Sequence, residues 1–249
     1  MDALRSYRMW VYLSDHFRKF VLHQKYVAFV GSGGKTSLAE YAAAELLQLG
    51  KKVAITTTTK IFVREPYCTI GEVSRPERDM PFMRIGRSVE EGKLTGLSFE
   101  DLERLGEMYD VVLIEADGAK GLPLKFPASH EPVIPPFSDA IFVVSGLDGL
   151  FGRVDQKVFR WESFCDATGM AGHALVDPEV FLRFFADDAL LKGVDKEKCT
   201  VVLNKLDALT VKEEAFELGK RIIDTAGIRE VIIASALHKV FYHMEALSS

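Results

Sequence analysis

The stretch Tyr26-Val27-Ala28-Phe29-Val30-Gly31-Ser32-Gly33-Gly34-Lys35-Thr36-Ser37-Leu38 constrains the fold more than any other part of the chain. Val27 to Val30 is an apolar run of the length of a buried strand. Three glycines follow within four positions, where the absence of Cβ lets backbone N–H groups turn toward a ligand. Lys35 adds a positive charge, Thr36 and Ser37 add hydroxyls, and the start of a helix adds its own partial positive charge. Strand, glycine loop and helix start together predict a site for the phosphates of a nucleotide, with Gly31, Ser32, Gly33, Gly34, Lys35, Thr36 and Ser37 around them and Thr36 on a magnesium ion.

A full phosphate-loop motif would place a glycine where Phe29 stands, so this loop is two residues shorter. Shortened loops of this form resemble those of the Mur ligases. The plain alternative is a tight strand-to-helix turn with a chance lysine, for which three glycines carry a needless entropic cost. With no ligand bound, the Lys35 side chain is expected to face solvent.

A length of 249 residues suits one large α/β domain or two small ones. The net charge of -5, with no lysine–arginine stripe, gives no support to nucleic-acid binding. Cys68, Cys165 and Cys199 are odd in number and widely spaced, which points to a reducing compartment rather than a disulfide framework. Charges interrupt every apolar run near the N-terminus and no stretch has the length of a membrane span, so the expectation is a cytoplasmic protein with no membrane partner.

Residues 3–22 read as an amphipathic helix packed on the outside of the domain, with a docking surface as the alternative. The glycine loop feeds a helix over 36–49 that ends at Gly50, and 52–56 forms the next strand, giving a βαβ unit with a parallel sheet. That strand runs into Thr56-Thr57-Thr58-Thr59-Lys60, at the strand end where open α/β sheets bind ligands. The hydroxyls, Thr58 among them, are candidates for magnesium or phosphate oxygens, and Lys60 for neutralising phosphate charge; the alternative is a β-branched strand continuing to an edge. Residues 64–96 read as loops and short strands, a candidate flap. Ser98 is the expected N-cap of the next helix.

The buried strand Val111-Val112-Leu113-Ile114 ends in Glu115-Ala116-Asp117-Gly118. Carboxylates at that place hold magnesium directly or through water. Glu115 and Asp117 alternate across an extended strand, so one is expected on the metal while the other fixes a loop or a water. Asp117 is the expected ligand and Glu115 the alternate; the plain alternative is two solvated carboxylates at a turn. Lys120, Lys125, His130 and Glu131 follow in a proline-rich extended loop and are candidates to face a substrate or partner. Residues 152–195 read as a helical insertion, with Asp177-Pro178 opening a helix.

The strand Thr200-Val201-Val202-Leu203 ends in Asn204-Lys205-Leu206-Asp207, which resembles the N-K-x-D signature of GTP-binding proteins. A carboxylate at Asp207 accepts both donors on the Watson–Crick edge of guanine, where adenine leaves groups unpaired. Asn204 is expected on the other edge of the base. Ser235-Ala236, after the next strand, resembles the GTPase segment whose backbone N–H meets the guanine O6. A helix over 211–226 is expected between Asp207 and that strand, opened by a capping box of Thr210 and Glu213 and ended by Gly227.

In this order, Val30 through Thr36, Thr56 through Ile61, Glu115 through Gly121, Lys125 through Pro135 and Asn204 through Asp207 resemble the selenium-dependent hydroxylase accessory proteins, known as YqeC. The resemblance covers roughly residues 25–240. It implies a maturation factor acting on a molybdenum hydroxylase or its cofactor. The combined expectation is one α/β domain over 1–249, P-loop NTPase-like. It has a mostly parallel sheet, helices on both faces and a helical insertion. It binds GTP or ATP with Mg2+ and hydrolyses it slowly, with Lys35, Lys60, Glu115 and Asp117 as the catalytic set. The rivals are a Mur-like ligase or kinase acting on a small acid, and a binding module that holds a nucleotide or pterin cofactor without cleaving it.

Overall fold

The computed structural model describes residues 12–14, 16–73 and 82–246. Its strands are β1 (Tyr12–Ser14), β2 (Tyr26–Gly31), β3 (Val53–Thr57), β4 (Lys60–Phe62), β5 (Tyr67–Thr69), β6 (Met83–Gly86), β7 (Val89–Glu90), β8 (Lys93–Thr95), β9 (Val111–Glu115), β10 (Leu124–Lys125), β11 (Ala140–Gly146), β12 (Val158–Phe159), β13 (Cys199–Asn204), β14 (Glu230–Ser235) and β15 (Val240–Glu245). Its helices are α1 (Lys35–Gln48), α2 (Phe99–Met108), α3 (Val154–Lys157), α4 (Trp161–Thr168), α5 (Pro178–Arg183) and α6 (Glu213–Ala226).

Among the described residues, ten strands form one sheet in the order β1-β15-β14-β13-β11-β2-β9-β3-β6-β5. Every neighbouring pair from β14 to β5 is parallel, and only β15 runs against its neighbours. The parallel strands are buried on both faces, which is why they read as continuous apolar runs. Strand β2 sits between β9 and β11, so the chain's later strands add to both of its sides. That reversal of order places the carboxyl end of β2 at a topological switch point, where open α/β sheets bind ligands.

Both faces are covered. Val27, Phe29, Leu113 and Phe142 pack with Leu38, Ala39 and Ala42 of α1 in one core. Phe29 stacks on Phe142 with ring centroids 5.3 Å apart, which anchors β2 just before the glycine loop. On the opposite face α2 packs with Val112, Ile114 and Ala54, while α6 and the 152–195 segment pack with Ala28, Val143 and Val201. The helical insertion contributes Phe164, Phe181 and Phe184, each fully buried, so it completes the core of that face rather than standing off as a lid.

Several expected elements differ. The helix over 3–22 is absent where it is described: residues 12–14 pair as an edge strand with β15, and Arg18–Phe20 form a single 3-10 turn. Residues 1–11 and 15 lie outside the described residues. Buried Glu45 of α1 accepts the Arg18 N–H at 2.8 Å and so holds that turn in place. The capping box at Thr210 and Glu213 does not form; Lys212 is the N-cap of α6 and makes no side-chain cap. Ser98 and Asp177 cap α2 and α5 as expected, accepting from Asp101 N and Val180 N. Strand β15 was not foreseen; it returns from β14 through a turn in which Lys239 takes φ 56°. No helix among the described residues is long and apolar enough to cross a membrane.

Candidate functional site: a cationic cleft at the end of the second strand

The glycine loop leaves β2 and enters α1 at the switch point. Gly31 N–H donates to Asp117 Oδ2 at 2.8 Å, Ser32 N–H to Val144 O at 2.8 Å and Gly33 N–H to Leu122 O at 3.2 Å. The first three loop amides therefore hold the loop to its neighbours. The next four, of Gly34, Lys35, Thr36 and Ser37, have no protein acceptor among the described residues; the first helical bond is Leu38 N–H to Gly34 O. Four unpaired N–H groups at the start of a 14-residue helix form a ready anion site.

Gly33 fixes how tightly this loop packs. Its φ is +73°, and a Cβ there would lie 2.1 Å from Gly146 N at the exit of β11. Gly33→Ala is expected to lose more than about 1 kcal/mol of stability, because it combines left-handed strain with a backbone clash. Thermal unfolding checks this; an unchanged Tm would mean that the two loops do not meet as described.

Lys35 is buried, contrary to the expected solvent-facing side chain. Its Nζ donates to Gly31 O and lies 3.1 Å from Asp117 Oδ1. The second contact has the distance of an ion pair without hydrogen-bond alignment, so buried Oδ1 accepts no hydrogen bond. The two carboxylates have different tasks. Glu115 Oε1 accepts from the Thr36 hydroxyl at 2.8 Å. Asp117 Oδ2 accepts from Gly31 N–H and from Lys125 Nζ at 2.9 Å. Asp117 thus fixes the loop, while Glu115 stands beside the hydroxyl expected on the metal. Burial pushes the Glu115 carboxyl above its ordinary pKa, against the opposing pull of Lys35 and Thr36.

Lys125 is fully buried, and its three N–H donors are matched by Asp117 Oδ2, Glu131 Oε2 at 2.9 Å and Gly118 O at 2.8 Å. Arg160 then forks onto both oxygens of Glu131. Burial pushes the Glu131 pKa up, but the hydrogen bonds from Arg160 and Lys125 outweigh it and bring the value down to about 2. Lys125 and Glu131 are therefore braces behind the loop, and neither is free to face a substrate. His130 and Lys120 line the cleft.

The threonine run is largely structural. Thr56, Thr57 and Thr58 donate their hydroxyls to the carbonyls of Ile85, Glu115 and Val133 at 2.7, 2.8 and 2.7 Å. Thr58 lines the cleft with acceptor lone pairs only, and Lys60 is exposed and paired with Glu90 at 2.8 Å. At the other end, Asn204 is a brace rather than a reader of the base edge. Its Nδ2 donates to Gly33 O at 2.9 Å, and its Oδ1 accepts Ala236 N–H at 3.2 Å. That second bond also occupies the amide expected to meet a guanine O6. Asp207 is exposed and oriented by the Ser235 hydroxyl, while Lys205 pairs with Asp148 at 2.8 Å.

These groups border a cavity of about 740 Å³ that runs from Lys205 past the glycine loop to β4 and β8. Ser32 through Ser37, Thr58, Lys60, Glu115 and Asp117 line it; Gly31, Asn204, Asp207, Ser235 and Ala236 do not. Eight lysine and arginine side chains line it against three carboxylates, in a chain whose net charge is -5. Arg64, Arg84, Lys93 and Arg160 were missed by sequence reasoning. They carry no motif and reach the cleft only through the pairing of β4, β6, β8 and β12. Among the described residues no three His, Cys, Asp or Glu side chains cluster as a metal cage.

A family model described as YqeC protein matches residues 27–162, more than half of the chain. The chain belongs to the YqeC family. A relative from Escherichia coli (strain K12), named as an uncharacterized protein YqeC, is 35% identical over 159 residues. That match covers 59% of this chain and 62% of the relative, so it spans less than two thirds of the relative's length. The family match contains the glycine loop, the threonine run and both carboxylates, and ends before Asn204.

Proposed function

We propose that this chain binds a nucleoside triphosphate with magnesium at the start of α1 and hydrolyses it slowly, as an accessory factor in the maturation of selenium-dependent molybdenum hydroxylases. The observation that carries the nucleotide reading is the set of four unpaired amides from Gly34 to Ser37 at a helix N-terminus in a cationic cleft. The hydroxylase role rests on the family resemblance.

Magnesium on a nucleotide takes one or two carboxylates plus phosphate oxygens, not an all-protein cage. Thr36 and Glu115 fit that role, and a cation there relieves the burial penalty on Glu115. The ion supplies charge that stabilises the transferring phosphoryl group. Lys35 exchanges Asp117 for a phosphate oxygen. Asp117 keeps the loop in place through Gly31 and offers its unpaired Oδ1 to a water, the orienting task of a hydrolytic site. This reverses the expected order of the two carboxylates.

The base is read as guanine at Asp207, whose exposed carboxylate follows the cleft-lining Lys205 by two residues, just outside the cleft lining. Asp207→Asn replaces one acceptor by a donor, which faces a guanine donor but matches the carbonyl of xanthine. The variant is expected to lose GTP affinity by about tenfold to several hundredfold and to gain xanthosine triphosphate affinity. Competition binding of GTP, ATP and xanthosine triphosphate reads this, and a parent protein that prefers ATP removes the guanine assignment.

The nucleotide reading itself is tested with Lys35→Ala by calorimetry with magnesium and nucleotide. The expected result is loss of binding. Because Lys35 is buried against Asp117, Lys35→Arg and a thermal melt of each variant separate lost binding from lost folding. Unchanged affinity in a folded Lys35→Ala variant rejects the site. Tight binding without phosphate release would instead favour the non-hydrolysing module.

A further inference from the structure

The cleft extends beyond the unpaired amides of α1, and part of its wall carries charges that no protein carboxylate balances. Six of the eight lysines and arginines that line the cleft are paired with carboxylates, Lys60 with Glu90 and Arg160 with Glu131 among them. Among the described residues, Lys93 and Lys120 have no carboxylate partner. Each is instead held over an aromatic ring of the same cleft: Lys93 Nζ lies 5.2 Å from the Phe62 centroid, and Lys120 Nζ 5.2 Å from that of Phe159. A ring face positions a cation without cancelling its charge.

Lys120 is set there by a left-handed backbone, with φ 48°, and Lys93 by the pairing of β8 with β4. Arg84 lines the same cleft. It is 5% exposed, and its buried Nε–H has no acceptor although the other guanidinium nitrogens bond Glu65 O and Glu40. A buried donor of this kind next to a cleft is available to an acceptor from outside the chain, a water or a ligand. Asp207, the proposed base reader, follows β13 on one side of β2, whereas Arg84 lies on β6 on the other side.

We infer that this wall is the subsite of a second substrate, a small molecule with at least two anionic groups, carboxylates or phosphates, seated on the γ-phosphate side of the nucleotide. Lys93 and Lys120 anchor its charges and Arg84 supplies a further donor. The inference rests on the start of α1 being the nucleotide site.

The test is calorimetry on the full chain saturated with magnesium and a β,γ-imido nucleotide, titrated with succinate in one arm and glycerol 3-phosphate in the other. At least one dianion is expected to bind at a single site. The arm that binds tighter tells carboxylate from phosphate ester. Lys93→Ala and Lys120→Ala are each expected to weaken it by about tenfold, the effect of removing one partly screened charge pair. The affinity for the imido nucleotide should stay within about threefold. Binding of neither dianion, or dianion binding indifferent to both substitutions, overturns the inference. So does an equal loss of imido-nucleotide affinity, which would assign the wall to the nucleotide. Should no imido nucleotide bind, the nucleotide reading fails on its own. The same dianion titration on the ligand-free chain then decides the subsite by its dependence on the two lysines.

Discussion

Lys125→Met is expected to lower unfolding stability by about 3 kcal/mol, the low end of the cost of breaking a buried ion pair. The substitution keeps most of the side-chain volume, so the loss reports charge rather than a cavity. Lys125 is fully buried and bridges two carboxylates. Without it Asp117 retains only Lys35 and Gly31 N–H, and Glu131 only Arg160 and Ala128 N–H. Because each carboxylate keeps one cation, the low end of the range applies. The pH dependence has a definite sign. The folded Glu131 pKa, about 2, lies below its unfolded value of about 4.3, so the unfolded chain binds more protons between them. Its contribution is complete above the unfolded value and is lost as pH falls through the folded one. In Lys125→Met one of the hydrogen bonds that depress that pKa is gone, so the folded value moves toward the unfolded one, and the acid loss should be smaller and complete at a higher pH than in the parent. Urea unfolding at pH 7 and pH 4 measures both effects. Equal midpoints for parent and variant at pH 7 would show that the network contributes nothing.

Glu115→Gln should lower magnesium-dependent hydrolysis by about a hundredfold or more, equivalent to about 2.7 kcal/mol of lost transition-state stabilisation. The glutamine keeps an oxygen for the Thr36 hydroxyl, now 2.8 Å from Glu115 Oε1, so the local packing survives. What disappears is the charge next to the proposed magnesium position. Binding without magnesium should hold or tighten, because a buried negative charge near the phosphates is gone. Asp117→Asn should behave differently. It removes the carboxylate paired with Lys35 and one of the two paired with Lys125, so its main effect falls on stability and on loop geometry. Single-turnover hydrolysis across magnesium concentrations, with a melt for each variant, distinguishes the two. A damaging Asp117→Asn with wild-type stability, beside a silent Glu115→Gln, returns the metal to Asp117.

The glycine loop, its flanking strand and helix, and the apolar runs at 111–114 and 200–203 were legible because their signals are local. A buried parallel strand must be apolar on both faces, and a loop that turns amides outward must be glycine-rich. The helices with side-chain caps were legible for the same reason, as Ser98 and Asp177 show. Strand β1 was not. Residues 3–22 contain apolar positions that match a helical period, yet 12–14 take an edge-strand place that β15 alone creates.

The site divides along the same line. Residue types at Lys35, Thr36, Glu115 and Asp117 follow from the chain itself, since each sits within three positions of a strand or helix end. Their partners do not. That Asp117 ties down Gly31 while Glu115 meets Thr36 depends on β9 inserting between β2 and β3, a pairing that no local pattern specifies. The pairing of Lys35 with Asp117, the bracing role of Asn204 and the fork of Arg160 onto Glu131 likewise arise between residues distant in sequence. Sequence by itself determined where backbone amides and charges are available. Only the tertiary structure decided which are already paired within the protein and which remain for a ligand, because an amide or a charge acquires its partner through packing and not through its neighbours in the chain.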